Sequence, residues 1–343
     1  MRRRNPVRRL FGSPRSWLAP LLAGVVTMGM ALPASSASAA SPPSDAPRAE
    51  LRGLIENVTQ ANARRYRATD SSGRSMDAAK IVQESPGHYL AVYHTMLSDG
   101  RFHTALSTST DLMTWTFAHD FGAGSSQPTI ARAPDGGYVM AWEQDPSNHV
   151  AVRYYPSRSA LLNGADTRRK DTVRTLSTCA EGTPNIYSIR FSPDVDHSVI
   201  DIGGHYFANC DVDRQMRGTL TNFTSWSATA QPNVDNAMLY WGVRGNIGDR
   251  DQVAFRGFPF GLFEGQFTKG DFGSWRTFVY DYQTGNADTT AITTDRGSKA
   301  FANPSITALQ APDGRQAILV SLFLPSEGAA PGEAGQLLYY RTF

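Results

Sequence analysis

Five polar residues head strand-like segments that recur roughly every 50 positions along this chain of 343 residues. Each is followed by a short apolar run, a Gly-centred turn and a second apolar run. Hydrolysis of a glycosidic bond needs one carboxyl group that stays protonated and another that stays ionised. If the segments converge, three carboxylates and two amides would meet in one pocket suited to carbohydrate chemistry. The five positions are Asp77, Gln127, Glu181, Asp251 (with Asp249 as its alternative) and Asn303.

The elements that must bring these residues together carry a second repeat. A motif of an acidic or amide residue, Leu or Phe, a spacer, Thr or Ser, and Trp ends at Trp115, Trp226 and Trp275. The last two tryptophans are 49 residues apart and the first two are 111 apart, which is about twice that period. Because these tryptophans recur in register, we interpret them as packing between repeats rather than as ligand contacts.

Five two-part repeats of short strands predict an all-β, five-bladed β-propeller, in which the first strand of every blade begins near the central axis. A β-sandwich is the alternative, although a sandwich does not need this internal period. The helical spacing of Leu51, Leu54 and Ile55 predicts one short N-terminal helix, around residues 49–63, packed against the outside of the domain.

The first 39 residues are expected to be a cleaved signal peptide. Six Arg and no acidic residue precede Ala40, and the apolar run from Trp17 to Val26 is followed by the small residues Ala37-Ser38-Ala39. This pattern predicts bacterial export by a Sec or twin-arginine route and a secreted protein that has no membrane span after cleavage. Residues 40–64 are expected to form a linker and the short helix, and residues 65–343 the propeller.

Charge and cysteine content narrow the partners further. Removing the six leader arginines leaves 27 of the 33 basic residues against 31 acidic ones, a formal charge of −4, so no basic surface for nucleic acid is expected. Cys179 and Cys210, both in the third repeat, predict a disulfide in an exported protein. No histidine spacing typical of a metal site is present, so no cofactor is expected. A structural calcium ion in the axial channel and the oligomeric state are left open.

The run from Asp77 to Thr95 resembles the first blade of glycoside hydrolase family 43, which begins with a catalytic Asp. The segment Cys179-Ala180-Glu181-Gly182-Thr183-Pro184 looks like the Glu-Gly-Pro segment of that family, whose Glu is the general acid. Ser109 to Trp115 resembles its structural Ser-x-Asp-Leu-x-x-Trp motif. The resemblance covers most of residues 70–343. It implies a five-bladed glycosidase in which Asp77 is the general base and Glu181 the general acid of an inverting hydrolysis.

The chain departs from the family pattern at two places that bear on the site. Gln127-Pro128-Thr129 stands where the family has Ala-Pro-Asp, so the carboxylate that tunes the acid is missing there, and Asp251 is the candidate to replace it. An extra residue, Thr183, displaces Glu181 from the usual strand start. The remaining candidates for binding sugar hydroxyls or stacking on a sugar ring are Gln127, Asn303, Asp249, Trp142 and Trp241.

The sequence thus predicts a secreted glycosidase that acts on an extracellular poly- or oligosaccharide. The resemblance implies a furanoside or pentoside linkage of the arabinan or arabinoxylan type. A non-catalytic, lectin-like glycan-binding propeller is the alternative, favoured by the missing second-blade Asp. A sialidase-like propeller is a weaker third reading because Asp111 to Trp115 lacks the Gly of the Ser-x-Asp-x-Gly-x-x-Trp box.

Overall fold

The computed structural model describes residues 42–343, whose strands form five antiparallel sheets of four strands each. Five such sheets confirm the all-β, five-bladed propeller that the repeats predict, and they exclude the β-sandwich. The expected signal peptide, residues 1–39, lies outside the described residues.

The described chain begins with helix α1 (Asp45–Glu56) and strand β1 (Ala63–Tyr66). The next four blades follow in chain order, each listed from its innermost strand outward. Blade 1 comprises β2 (Asp77–Ser85), β3 (His88–Met96), β4 (Phe102–Ser109) and β5 (Thr116–Ala123). Blade 2 comprises β6 (Ser125–Arg132), β7 (Tyr138–Gln144), β8 (His149–Tyr155) and β9 (Arg168–Asp171). Blade 3 comprises β10 (Glu181–Phe191), β11 (Ser198–Ala208), β12 (Val212–Thr221) and β13 (Ser225–Ala230). Blade 4 comprises β14 (Arg250–Phe255), β15 (Phe258–Gln266), β16 (Trp275–Asp281) and β17 (Asn286–Thr289).

Blade 5 joins the two ends of the propeller. Its strands are β18 (Ala302–Gln310), β19 (Gln316–Leu324), β20 (Gly335–Thr342) and, outermost, β1. Strand β1 pairs antiparallel with β20, with Ala63 opposite Tyr340 and Tyr66 opposite Leu337. The segment before the first complete blade therefore finishes the last one, which closes the ring.

The N-terminal helix lies where the apolar spacing predicts a packed surface, although it begins and ends earlier than residues 49–63. Leu51, Leu54 and Ile55 are buried in a cluster with strands of blades 4 and 5. The Tyr339 hydroxyl donates a hydrogen bond of 2.5 Å to the Ile55 carbonyl oxygen. Two further helices, α2 (Arg158–Leu162) and α3 (Pro232–Leu239), connect strands at the periphery. None of the helices within residues 42–343 combines the length and apolar character needed to cross a bilayer.

The recurrent tryptophan motif forms turns and packs between blades. The Asp111 Oδ1 atom accepts hydrogen bonds from the backbone N–H groups of Met113 and Thr114, at 2.8 and 2.6 Å. This turn directs Trp115 into a buried cluster that joins blade 1 to Leu309 and Leu338 of blade 5. Burial of such a large aromatic between two sheets is a substantial apolar contribution to ring closure.

A disulfide between Cys179 and Cys210, with Cα atoms 5.6 Å apart, confirms the predicted pair. It ties the residues before β10 to the turn between β11 and β12. Both segments border the central cavity described next, so the bond fixes one part of its rim.

Candidate active site

Four of the five innermost strands open with the same backbone irregularity. In β2, β6, β10 and β18 the register with the second strand shifts near the first residues, which marks a β-bulge. One residue in each bulge has a positive φ, between 47° and 53°. Bulges re-aim side chains, and positive φ is uncommon outside glycine. The four positive-φ residues are Ala78, Gln127, Thr183 and Asn303.

These bulges surround a cavity of about 690 Å³ at one end of the propeller axis. Asp77, Gln127 and Asn303, three of the residues predicted for the site, line this cavity. Pockets that combine apolar walls with a few polar groups are typical of small-ligand sites. The aromatic part of the wall consists of Phe102, Phe207, Phe272, Trp275 and Phe323. Trp275, which we interpreted as packing alone, therefore also faces the cavity.

Asp77 occupies the first position of β2, opposite His94. Burial raises the pKa of the Asp77 carboxyl, and the Ser75 hydroxyl, which donates a hydrogen bond to it, opposes that rise. His94 is buried, and burial lowers its pKa to about 4, so the ring is neutral near pH 7. Its Nδ1 atom accepts the Gln127 backbone N–H at 2.9 Å, which holds the bulge of blade 2 in place.

Blade 2 supplies a carboxylate from its second strand rather than its first. Glu143, near the end of β7, lies opposite Ser126 and lines the cavity. Its Oε1 atom accepts a hydrogen bond of 2.6 Å from the Asn148 side-chain amide. A Cβ atom placed on Gly182 would lie 2.0 Å from the Glu143 Oε2 atom, so the carboxylate occupies the space that a side chain at 182 would fill.

Blade 3 contributes a histidine and an aspartate. His205 Nε2 lies 3.6 Å from Asp213 Oδ1, and both residues line the cavity. Burial raises the pKa of Asp213 to about 6, against the opposing effect of Arg250 and Arg214. Burial also lowers the pKa of His205 to about 4, which leaves the ring neutral beside that carboxyl. A carboxyl group with a pKa near 6 is suited to donate a proton at mildly acidic pH.

A second pair of carboxyl groups lies in blade 4 beside this cavity. The Glu264 side chain accepts backbone N–H bonds from Asp249 at 2.9 Å and from Asn303 at 2.5 Å. Burial raises the pKa of Glu264 to about 7 and that of Asp249 well above its usual range, and the neighbouring Glu264 carboxylate adds to the rise at Asp249. Asp249 lines a small axial chamber next to the main cavity rather than the main cavity itself.

Glu181 does not reach the cavity, contrary to the role that the resemblance implies. Its side chain is fully buried, and its Oε1 atom accepts backbone N–H bonds from Thr175 at 2.6 Å, Ser177 at 3.1 Å and Leu176. Gly182, opposite His205, occupies the position that Asp77 has opposite His94. Because side chains alternate along a strand, a shift of one residue turns Glu181 to the other side.

Asp251 is likewise displaced from the expected tuning position. It is buried in the axial chamber, where its carboxylate accepts bonds from Lys80 Nζ at 2.5 Å, Asn185 Nδ2 at 2.7 Å and Ser305 Oγ at 2.8 Å. These partners belong to blades 1, 3 and 5, and Asp251 itself to blade 4. The residue therefore joins four blades at the axis.

Neither of the two predicted stacking tryptophans lies in the cavity. Trp142 is 4 % exposed and packs between blades 1 and 2, with its Nε1 donating to the Gln144 Oε1 atom at 2.8 Å. Trp241 is 40 % exposed, but it lies on the outer edge of blade 4. Neither tryptophan belongs to the repeated motif, and absence from that motif does not predict which surface a tryptophan faces.

Four of the residues that sequence analysis missed share one position. Ionisable residues near the ends of apolar second strands face the axis: His94, Glu143, His205 and Glu264. Three of them directly follow an aromatic residue, as in Tyr93-His94, Trp142-Glu143 and Phe263-Glu264. That pattern is visible in the sequence. Asp213, at the start of a third strand, carries no comparable signal. Nowhere in residues 42–343 do three or more His, Cys, Asp or Glu side chains form a group able to hold a metal ion.

The fold and the cavity define the class: a five-bladed β-propeller whose axial cavity is lined by carboxyl groups from three successive blades. Solved structures with this fold include a putative exo-β-1,3-galactanase from Bifidobacterium bifidum, at 11 % identity and a TM-score of 0.50, covering 80 % of this chain and 90 % of that one. An exo-1,5-α-L-arabinanase from a bovine ruminal metagenomic library is similar at 11 % identity and a TM-score of 0.51, covering 80 % and 96 %. A further glycoside hydrolase reaches a TM-score of 0.55 at 9 % identity, covering 86 % and 94 %. No protein-family model and no curated protein sequence matches this chain.

Proposed function

We infer that this protein is a glycoside hydrolase whose reaction takes place in the axial cavity. The observation that carries the proposal is the position of Asp77, Glu143 and Asp213 on one aromatic-walled cavity, with the pKa of Asp213 raised to about 6. The propeller fold shared with solved glycoside hydrolases supports the same reaction class.

Asp213 takes the role that the resemblance implied for Glu181. In its protonated form it donates its proton to the glycosidic oxygen as the bond to the anomeric carbon breaks. Asp77, in its ionised form, removes a proton from the water that adds to that carbon. The products are a sugar with a free anomeric hydroxyl and the released alcohol, with one water consumed. After the reaction Asp77 carries a proton taken from the water, Asp213 has lost its own proton to the leaving group, and exchange with solvent resets both groups.

His205 lies beside the acid, and Glu143 lines the same cavity. Burial keeps Asp213 protonated to higher pH, because a charged carboxylate is disfavoured away from water. The neutral His205 beside Asp213 adds a polar contact without a positive charge that would favour ionisation. This arrangement supplies the third carboxylate that Gln127 leaves absent from the first strand of blade 2.

The substrate class is an extracellular poly- or oligosaccharide, with arabinan- or arabinoxylan-type furanoside or pentoside linkages as the first to test. The resemblance in blade 1 and the fold shared with an arabinanase support this choice. Export, by a Sec or twin-arginine route, is part of the proposal. The arginine-rich leader and the Cys179–Cys210 disulfide support it, because disulfides persist in oxidising compartments.

A non-catalytic, glycan-binding propeller is the second candidate. The observations favouring it are the amide Gln127 where a carboxylate is expected and the turning of Glu181 away from the cavity. Such a protein would bind a glycan at the axis and release nothing.

The experiment that separates the two candidates measures reducing-sugar release from arabinan, arabinoxylan and galactan by the wild-type protein and by Asp77→Asn and Asp213→Asn. The hydrolase proposal expects release from at least one polymer that falls by at least about 1,000-fold in each variant. Binding of a polymer by the wild-type protein with no release would establish the glycan-binding alternative.

A further inference from the structure

A second cleft, separate from the axial cavity, lies on the outer edge of blade 4. It has a volume of about 850 Å³ and shares no lining residue with the axial cavity. Its walls are helix α3, the outermost strand β17 and the turn between β16 and β17. The axial reaction does not use any of these elements.

The cleft carries an exposed pair of aromatic residues, Tyr240 and Trp241. Tyr240 is 86 % exposed, and no other Tyr or Trp within residues 42–343 ranks with these two among the exposed large apolar side chains. Their ring centroids are 6.1 Å apart with planes at 87°, so the rings form two walls of a corner. Large aromatic groups normally become buried, and a neighbouring pair left open to solvent in a cleft is typical of a ligand site.

The local structure holds this pair in place before any ligand arrives. Tyr240 and Trp241 immediately follow α3, and the Trp241 Nε1 atom donates a hydrogen bond of 2.6 Å to the Ala287 carbonyl oxygen of β17. The next residue, Gly242, has a φ of 92°, a conformation that favours glycine and ends the helical turn. A fixed indole loses little conformational entropy on binding.

The polar groups of the cleft suit an uncharged ligand. Asn233, Asn236 and Gln283 line it, and their side-chain amides make no hydrogen bond to any other described part of the chain. The charge of Arg48 is offset by Asp288 at 3.1 Å and by Asp281 at 3.5 Å. Amides offer both donors and acceptors, as sugar hydroxyls require, and the apolar faces of sugar rings pack on aromatic rings.

We propose that this cleft, defined by Tyr240, Trp241, Asn233, Asn236 and Gln283, is a secondary binding site for a neutral polysaccharide chain. It anchors the protein to a polymer while the axial cavity acts on another segment. Binding at two positions on one polymer raises the local concentration of the second segment at the cavity. This proposal depends only on the binding of a glycan in the cleft, so it holds even if the axial cavity does not catalyse hydrolysis.

The test is affinity electrophoresis of the mature protein through gels containing arabinan, arabinoxylan or galactan, in an Asp213→Asn background that suppresses hydrolysis. The Tyr240→Ala and Trp241→Ala variants are compared with Phe343→Ala, which removes another exposed aromatic side chain located at the chain terminus. Tyr240→Ala is the decisive variant because its exposed ring contributes little to folding. The result expected is retardation by at least one polymer that is weakened at least about tenfold in Tyr240→Ala and is unchanged in Phe343→Ala.

Equal retardation of all variants, or retardation by none of the three polymers, overturns the proposal. Sedimentation velocity provides a further outcome: self-association that disappears in Tyr240→Ala would make the cleft a contact between copies of this chain and would also overturn it. Reducing-sugar release by the wild-type protein is measured separately. Retardation that depends on Tyr240 without any release would reject the proposed hydrolysis and leave the secondary site supported.

Discussion

The carboxylate of Glu143 fills the space in front of Gly182. A Cβ atom at residue 182 would lie 2.0 Å from the Glu143 Oε2 atom, a distance at which one of the two must move. The backbone at Gly182 does not have a positive φ, so an alanine would be accommodated conformationally. The glycine is therefore required by the neighbouring carboxylate of blade 2, not by the backbone of blade 3.

Gly182→Ala is expected to reduce kcat by roughly 10- to 100-fold, because it displaces Glu143 from its place beside the cavity. The thermal midpoint should change little, since a flexible side chain can move aside. Steady-state kinetics on the responding polysaccharide measure the effect. Gly53→Ala, in helix α1 with no atom within 4 Å of the added Cβ, is the control and should keep full activity. Wild-type kinetics in Gly182→Ala would show that Glu143 has no part in the reaction.

The raised pKa of Asp213 makes stability depend on pH with a defined sign. Its folded pKa of about 6 lies above the ordinary value of 3.8, so the folded state binds this proton more tightly. The stabilisation is complete below pH 3.8 and is lost as the pH rises through about 6. At about 1.4 kcal/mol per pKa unit, the loss is about 3 kcal/mol at most.

Asp213→Asn removes the cost of a buried charge, so it should be more stable than the wild type at pH 7.5 by about 1–3 kcal/mol. At pH 3.5, where the wild-type carboxyl is protonated in both states, the difference should vanish. Urea unfolding at the two pH values measures both free energies. If the variant and the wild type differed in unfolding free energy by the same amount at both pH values, Asp213 would ionise in the folded protein as it does in water.

Glu181→Gln tests whether that buried carboxylate is structural. Its Oε1 atom accepts three backbone N–H bonds, and charge-assisted bonds of this kind are stronger than those of a neutral amide. The variant should lose about 1–3 kcal/mol of unfolding free energy and retain kcat within about threefold. A loss of activity with an unchanged free energy of unfolding would instead show that Glu181 takes part in the reaction.

Asp251→Asn should destabilise the propeller strongly, because it leaves Lys80 of blade 1 with a weakened partner at the axis. Breaking a buried ion pair costs about 3–5 kcal/mol. Asp313→Asn is the matched control, since Asp313 pairs with Arg315 at the surface and should change the unfolding free energy by less than about 1 kcal/mol. Similar thermal midpoints for the two variants would argue against a joining role for Asp251.

The period of the repeats predicts the five blades, the cysteine pair in an exported protein predicts the disulfide, and the spacing of apolar residues predicts the packed helix. The site is only partly predictable. Asp77, Gln127 and Asn303 line the cavity, since bulges at the starts of their strands direct them there. The Glu181 side chain misses the cavity because Gly182, one residue later, occupies the cavity-facing position of the strand. The only sign of this shift in the sequence is the extra residue Thr183.

The groups that complete the site come from second and third strands, whose pairing the sequence leaves open. Glu143 and His205 reach the axis because of their register opposite Ser126 and Gly182. Asp213 reaches the cavity from the second residue of β12, just after the turn that contains Cys210. Trp142 and Trp241 lie outside the repeated motif, so the sequence provides no signal for the surface that either residue faces.

The central claim, that Asp213 is the general acid, is tested most directly by leaving-group dependence. The measurement is kcat/KM of Asp213→Asn on an aryl glycoside with a good leaving group and on the natural polysaccharide. A good leaving group needs no proton, so the account predicts activity within about tenfold of the wild type on the aryl glycoside and a loss of at least about 1,000-fold on the polysaccharide. Equal losses on both substrates, or full activity on both, would contradict it.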